Sequence, residues 1–374
     1  MKKSTVYKTL SAVTGASVLL AGCAPAVQPA PEAPAAPEKE PGAPISATET
    51  DGGVTYANGV KMRYFVGSPV ENLSEAPNVQ GDFSFSQDVL TPSDAIFSLF
   101  GTAVTGMCSK PADASDTDAG KWFINVGGDV KQGYSATLAQ LAEKKSETRT
   151  MKCSCAGNPA GGSAIANADV TGVPLKDVIE MAGVNEGANT LTITAEDGYQ
   201  TSMPLSYALE RDALLVYQIG GTPLSELQNS AVQLWMPSTV AKYFTRNVVD
   251  IQITTEKEVP ALLTDAPADG ELVNRPNVAI LNYADGETFP VGGEITFEGY
   301  ADDYDKAIAR VEFSLDGGKS WTGYDTQGAT ADKWVYWFFN YTPEAPGTYA
   351  LQVRSVTADG AVSPLASTIV FSVE

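Results

Sequence analysis

The chain has 374 residues, enough for about two domains with full cores. Hydrophobic residues at 43%, aromatic residues at 9% and charged residues at 18% exclude a disordered chain. Lys+Arg 24 against Asp+Glu 45 gives a formal net charge of -21; like charges repel over a Debye length of about 8–10 Å, which excludes nucleic acid as a partner. There is no histidine, so His-liganded zinc, Ser-His-Asp and Cys-His nucleophiles and haem with a proximal His are also excluded.

In chain order, Lys2 and Lys3 precede an apolar stretch containing Val13, Ala16, Val18, Leu19 and Leu20. It is too short to span a bilayer, so residues 1–22 read as a secretory signal. Leu20-Ala21-Gly22-Cys23 resembles the bacterial lipobox. That resemblance implies cleavage before Cys23 and lipidation of its thiol, which places the protein at the extracytoplasmic face of the cell membrane, attached to it through this lipid only. Residues 23–57 are a tether: prolines at 25, 29, 31, 34, 37, 41 and 44 favour an extended polyproline spacer that buries nothing.

Residues 58–255 predict an α+β domain. Residues 60–66 read as a strand, 93–100 as a short helix after Pro92, and 122–130 as a strand and turn. A helix over 135–142 with Ser135 as its cap comes next, then a strand over 149–155. Residues 173–182 form a helix with Pro174 near its first turn and Gly183 past its end. Strands follow at 190–194, 199–203, 214–218, 232–236 and 248–254. Residues 256–272, polar with Pro260 and Pro267, read as a linker. In residues 273–374, alternating runs at 294–300, 308–314, 333–338, 347–354 and 367–373 describe an immunoglobulin-like β-sandwich without cysteine. Within it, Ser314 to Trp321 is a tight hairpin, with Gly317 and Gly318 supplying positive φ.

The chemistry concentrates at Met151-Lys152-Cys153-Ser154-Cys155. With Cys23 taken by lipid, three thiols remain, and an exported free thiol tends to oxidise. If the segment leading to Cys155 is a strand, Cys153 and Cys155 share a face and a bridge between them is strained. The expectation is a disulfide from Cys108 to Cys153 that leaves Cys155 as a soft ligand for a metal.

Four segments carry a family resemblance: Cys155-Ala156-Gly157-Asn158, Asn167 to Val178, Asp197-Gly198-Tyr199 and Gly221-Thr222-Pro223-Leu224. Their order and spacing resemble the molybdopterin-binding domain of the sulfite-oxidase family over residues 120–255. The likeness continues into the sandwich at Ala309 to Trp321, which resembles the family's dimerisation domain. The resemblance implies a molybdenum-molybdopterin cofactor with Cys155 as the catalytic residue and the protein's metal ligand, and Asn158, Thr239, Lys242 and Arg246 as cofactor contacts. It further implies a two-electron or oxygen-atom transfer on a small-molecule substrate, a redox partner on another chain, and a homodimer through the C-terminal domain.

Two departures are informative. Pro159 follows Asn158 where the family commonly has arginine, and there are only seven arginines in all. Desolvating a dianion without a guanidinium cluster costs several kcal/mol, so the expected substrate is not sulfite. The other departure is the signal: Lys2-Lys3 suits export of an unfolded chain, whereas cofactor-loaded relatives travel folded behind Arg-Arg. The alternative reading is therefore a cofactor-free binding or adhesion protein on the same fold.

Overall fold

The computed structural model describes residues 54–57, 60–63, 73–93, 96, 114–155, 158, 161–162, 165–262 and 275–374, with only the backbone of 54–63. The signal, the tether up to residue 53, Cys23 and Cys108 lie outside the described residues, as does most of the helix expected over 93–100.

Three strands come first: β1 (Val54–Ala57), β2 (Val60–Arg63) and β3 (Asp82–Ser86). The next unit runs through β4 (Phe123–Gly128), β5 (Tyr134–Thr137), α1 (Leu138–Lys144), β6 (Glu147–Ser154) and β7 (Ile165–Pro174). It continues with α2 (Leu175–Ala182), β8 (Thr190–Ala195), β9 (Gln200–Pro204), α3 (Leu205–Glu210) and β10 (Leu214–Ile219). It ends with β11 (Thr222–Pro223), α4 (Leu224–Gln228), β12 (Gln233–Trp235) and β13 (Val248–Thr254). The last unit is all strand: β14 (Asn277–Ile280), β15 (Glu287–Phe289), β16 (Ile295–Asp302), β17 (Ile308–Ser314), β18 (Thr322–Asp325), β19 (Val335–Tyr341), β20 (Gly347–Thr357) and β21 (Leu365–Val373).

The middle unit is built on two five-stranded sheets, β5-β4-β13-β8-β9 and β11-β10-β7-β6, the second with β12 alongside β10. Ile124, Val126, Leu191, Ile193, Ile251 and Ile253 belong to one continuous core shared with the other sheet and the helices. The described residues are mostly sheet, which corrects the α+β expectation. The helices are short, at seven, eight, six and five residues.

Three of these helices start the same way. Val173-Pro174-Leu175, Met203-Pro204-Leu205 and Thr222-Pro223-Leu224 each end a strand at proline and open a helix at a buried leucine. Proline has no N–H to leave unsatisfied, and its φ near -60° with extended ψ hands the chain from strand to helix. The first helix is capped differently. Thr137 Oγ1 accepts from the Gln140 amide at 3.2 Å, and Gln140 Oε1 accepts from the Thr137 amide at 2.9 Å. This capping box corrects the expected Ser135 cap, because Ser135 lies within β5.

The sandwich pairs the sheet β1-β2-β21-β20-β17-β18, with β15 beside β21, against β14-β16-β19-β3. Its hairpin forms as expected: Gly317 and Gly318 have φ of 73° and 77°, and Asp316 Oδ1 accepts from the Ser320 amide at 3.0 Å.

The domain boundary differs from the expected one. β1, β2 and β3 belong to the sandwich and not to the middle unit. β2 runs parallel to β21, and β3 lies antiparallel to β19, with Phe83 stacked on Tyr324 at 5.2 Å. A sheet edge with unpaired backbone groups is a favourable seat for any extended strand, and these N-terminal strands cover two such edges. From β1 onward the chain therefore passes from the sandwich into the middle unit and returns.

Candidate functional site

The site is built on β6. The last four residues of this strand, Met151 to Ser154, are all buried, because here the strand is covered on both faces. Met151 and Cys153 enter the core of the middle unit. Lys152 and Ser154, on the other face, meet the sandwich. Lys152 is 1% exposed; its Nζ donates to Asp302 Oδ1 at 2.5 Å, to the Asp303 carbonyl and to the Tyr304 carbonyl at 3.4 Å. Its amide donates to the Asp332 carbonyl at 3.0 Å. Burial pushes the Asp302 carboxyl up, while the Lys152 ammonium and the Ser154 hydroxyl oppose that shift.

Cys155 follows the strand end. Its carbonyl oxygen accepts from the Asn158 amide at 3.1 Å and from the Tyr304 hydroxyl at 3.1 Å. Asn158 Nδ2 donates to the Tyr300 hydroxyl at 2.8 Å, and that hydroxyl donates to the Gly162 carbonyl at 2.6 Å. Tyr300 is fully buried and stacks on Trp334 at 6.0 Å. Burial holds the Tyr300 and Tyr304 phenols well above their ordinary range, so both remain protonated donors.

The two neighbouring thiols have different surroundings. Cys153 is buried, and that burial, reinforced by Cys155, raises its thiol well above the usual value. It forms no bridge with the other described cysteine, Cys155. The other end of the expected Cys108 to Cys153 disulfide, Cys108, lies outside the described residues. Cys153 points into a packed apolar core. Cys155 is only half-buried and can meet a ligand.

The other expected cofactor contacts lie on the segment 236–247, which includes a single 3-10 turn, Ala241–Tyr243. Ser238 and Asn247, non-glycine residues with φ of 53° and 54°, bend its two ends. Thr239 is fully buried, and its hydroxyl accepts from Tyr207 at 2.9 Å, so it supports the segment from within. The carbonyl of Lys242 accepts from the Tyr199 hydroxyl at 3.0 Å, and its side chain is half-buried. Arg246 is buried opposite Gln233. A cleft of about 410 Å³ opens between Arg149 and Arg211 of the middle unit and Asp305 and Asp332 of the sandwich, with Ser238 on its wall.

The donor set fits a molybdenum-pterin group. One accessible soft sulfur suits the metal, and a guanidinium and an ammonium on one short segment suit a cofactor phosphate. Among the described residues no three His, Cys, Asp or Glu side chains cluster as a metal site. Lys152, Tyr300 and Tyr304 escaped the sequence reading. The available signal was a lysine inside a strand that ends at the cysteine, together with the tandem Asp302-Asp303 after another strand.

Removing one partner of a buried pair leaves the other charged in the interior. Lys152→Met is expected to lower unfolding stability by about 3–5 kcal/mol, and the double variant with Asp302→Leu to recover most of it, both measured by denaturant unfolding. Asp303 gives a pH test. Burial, with Asp302 beside it, raises its carboxyl from 3.8 to about 6. The folded state thus binds this proton more tightly than the unfolded chain does, and the stability it contributes at low pH is lost as pH rises from about 4 to 6. Asp303→Asn is expected to raise Tm above the unmodified protein by about 2–4 °C at pH 7.5 and to lose that advantage near pH 4. Equal Tm shifts at both pH values would contradict this.

Comparison with known proteins gives two domain matches. Residues 111–261 match the family described as oxidoreductase molybdopterin binding domain, and residues 276–353 match bacterial Ig domain. The chain is 25% identical over 307 residues to sulfite oxidase of Arabidopsis thaliana, covering 63% of this chain and 78% of that protein. It is 24% identical over 277 residues to the NADH nitrate reductase of Spinacia oleracea, covering 58% of this chain but only 30% of that enzyme. Among solved structures, the sulfane dehydrogenase SoxCD from Paracoccus pantotrophus shares the fold, with a TM-score of 0.54 at 20% identity over 78% of this chain and 80% of that one.

Proposed function

Since the chain joins a molybdopterin-binding oxidoreductase domain to a bacterial Ig-like domain, we propose that it is an extracytoplasmic, lipid-anchored oxidoreductase whose molybdenum is held by Cys155. The observation that carries this reading is the division of labour between two adjacent thiols: Cys153 is buried and protonated, whereas Cys155 is half-buried at a turn. When bound, the cofactor supplies two-electron or oxygen-atom transfer chemistry. The chain's part is to present one sulfur, to hold the cofactor phosphate through Lys242 and Arg246, and to fix the Cys155 turn through Asn158.

A small, weakly charged substrate is supported by where the arginines are engaged. Arg310 and Arg354 pair with Glu312, at 2.7 and 2.5 Å, and Arg149 pairs with Glu147. Arg211 lies over the Tyr207 ring at 4.0 Å and Arg275 over Tyr304 at 5.1 Å. With three guanidiniums paired to carboxylates, few are left to replace the hydration shell of a dianion such as sulfite. Electrons pass to or from a partner on another chain, and the sandwich is the proposed homodimer surface.

Protein isolated from a native-like host is expected to carry about one molybdenum per chain, with visible absorption from the dithiolene-bound metal. Cys155→Ser should lose both metal and activity while keeping its unfolding midpoint. Molybdenum near zero, with a specific ligand bound by the colourless protein, would favour the cofactor-free binding reading. The anchor is tested separately: mass spectrometry of the mature N-terminus should find a lipid-modified Cys23, and Cys23→Ser should release the protein from membranes.

A further inference from the structure

Two tyrosines of the sandwich reach into the turn that carries the proposed metal ligand. Tyr304 donates to the carbonyl of Cys155 itself, at 3.1 Å. Tyr300 bonds both later points of the same turn, accepting from Asn158 Nδ2 at 2.8 Å and donating to the Gly162 carbonyl at 2.6 Å. Three residues before Cys155, Lys152 is clamped to Asp302, which lies on the strand of Tyr300 and two residues before Tyr304. The middle unit supplies the thiol, and the sandwich holds the backbone on either side of it.

We infer that Tyr304 and Tyr300 are positioning residues for Cys155, which makes the Ig-like domain part of the metal site as well as an appended arm. The inference rests on the reading of Cys155 as the ligand. Its physical basis is rigidity. A sulfur on an exposed turn samples many directions, and a metal bond needs one. Two hydroxyls that are themselves buried offer donors that water cannot easily replace. Tyr300 is further locked by its stack on Trp334 and Tyr304 by the Arg275 guanidinium over its ring. The phenols touch main-chain carbonyls and an amide, so they fix the direction of the sulfur without themselves serving as ligands.

The test uses the full-length protein in two forms. In the metal-free form, the rate of Cys155 alkylation by iodoacetamide is followed by peptide mass spectrometry across pH 6 to 9. Loss of one such hydrogen bond is expected to raise that rate roughly fivefold in Tyr304→Phe, with amide exchange at Asn158 and Gly162 accelerated. Tyr300→Phe should act in the same direction. Tyr341→Phe, on β19 and outside the turn, serves as the control for general loosening of the sandwich and should leave the rate unchanged. In the loaded form, Tyr304→Phe should shift the visible absorption of the metal centre while the molybdenum content stays near that of the unmodified protein. Unchanged alkylation and exchange in both Tyr304→Phe and Tyr300→Phe would overturn the inference, as would an equal rise in Tyr341→Phe. The thiol and exchange measurements stand whether or not molybdenum is found, so a failure of the cofactor reading is distinguishable from a failure of the positioning role.

Discussion

The ammonium of Lys152 lies where water does not reach, and much of the molecule is arranged around that fact. Removing an isolated charge from water costs several kcal/mol, and a single carboxylate seldom offsets it. Here Asp302 is joined by two main-chain carbonyls, of Asp303 and Tyr304. The geometry is demanding, since all three acceptors come from the end of β16 and the corner that follows it. An apolar contact of similar area would tolerate sliding and rotation between the units, whereas this pair fixes one register of β6 against the sandwich. Every residue that follows on β6, up to Cys155, inherits that register.

The path of the chain reinforces it. Because β1, β2 and β3 are strands of the sandwich, the middle unit is an excursion between two parts of one sandwich. Asn167 on β7 ties the crossing together: its side chain donates to the Gln87 carbonyl at 3.0 Å and accepts from the Trp334 amide at 3.1 Å. Gln87 in turn donates to the carbonyls of Thr330 and Lys333. A fully buried asparagine with both ends of its amide engaged is strongly directional, because misplacement would leave polar atoms unsatisfied. The two units are thus held by specific polar contacts set beside an apolar cluster, in which Ile165 of the middle unit packs with Ala279, Tyr300, Trp334 and Tyr336 of the sandwich.

How much of this was legible follows from the range of the forces involved. Val248–Thr254 and Ile308–Ser314 were readable to the residue, since β-branched alternation is a local signal. The strand β7, Ile165–Pro174, was not. Ala166-Asn167-Ala168-Asp169 has poor strand propensity, and its pairing with β6 and β10 decides its state. The helices α3 and α4 were missed because each is a turn or two long, although the repeated Pro-Leu after a strand was there to be read. The seat of β3 in the sandwich depends on partners some 250 residues away, and no window on the sequence contains them. At the site, the cysteine and the segment 236–247 were visible as motifs. Thr239 has a supporting role beneath that segment, because its hydroxyl is bonded to Tyr207. Tyr300 and Tyr304 read as ordinary sandwich aromatics until the fold brings them to the turn.

The relation between the two thiols shows where a local rule stops. Strand periodicity puts residues 153 and 155 on one face, and if β6 ran on, both sulfurs would enter the same core. The strand ends at Ser154. The Asn158 amide closes a turn on the Cys155 carbonyl, and the second thiol leaves the core that holds the first. This exit gives the pair its chemistry. Two accessible thiols so close together in an oxidising compartment would be drawn into mixed or strained disulfides. One thiol kept buried and protonated does not compete, and the other is left as a single soft donor. Without histidine anywhere in the chain, the proposed ligand Cys155 has no imidazole rival for a metal.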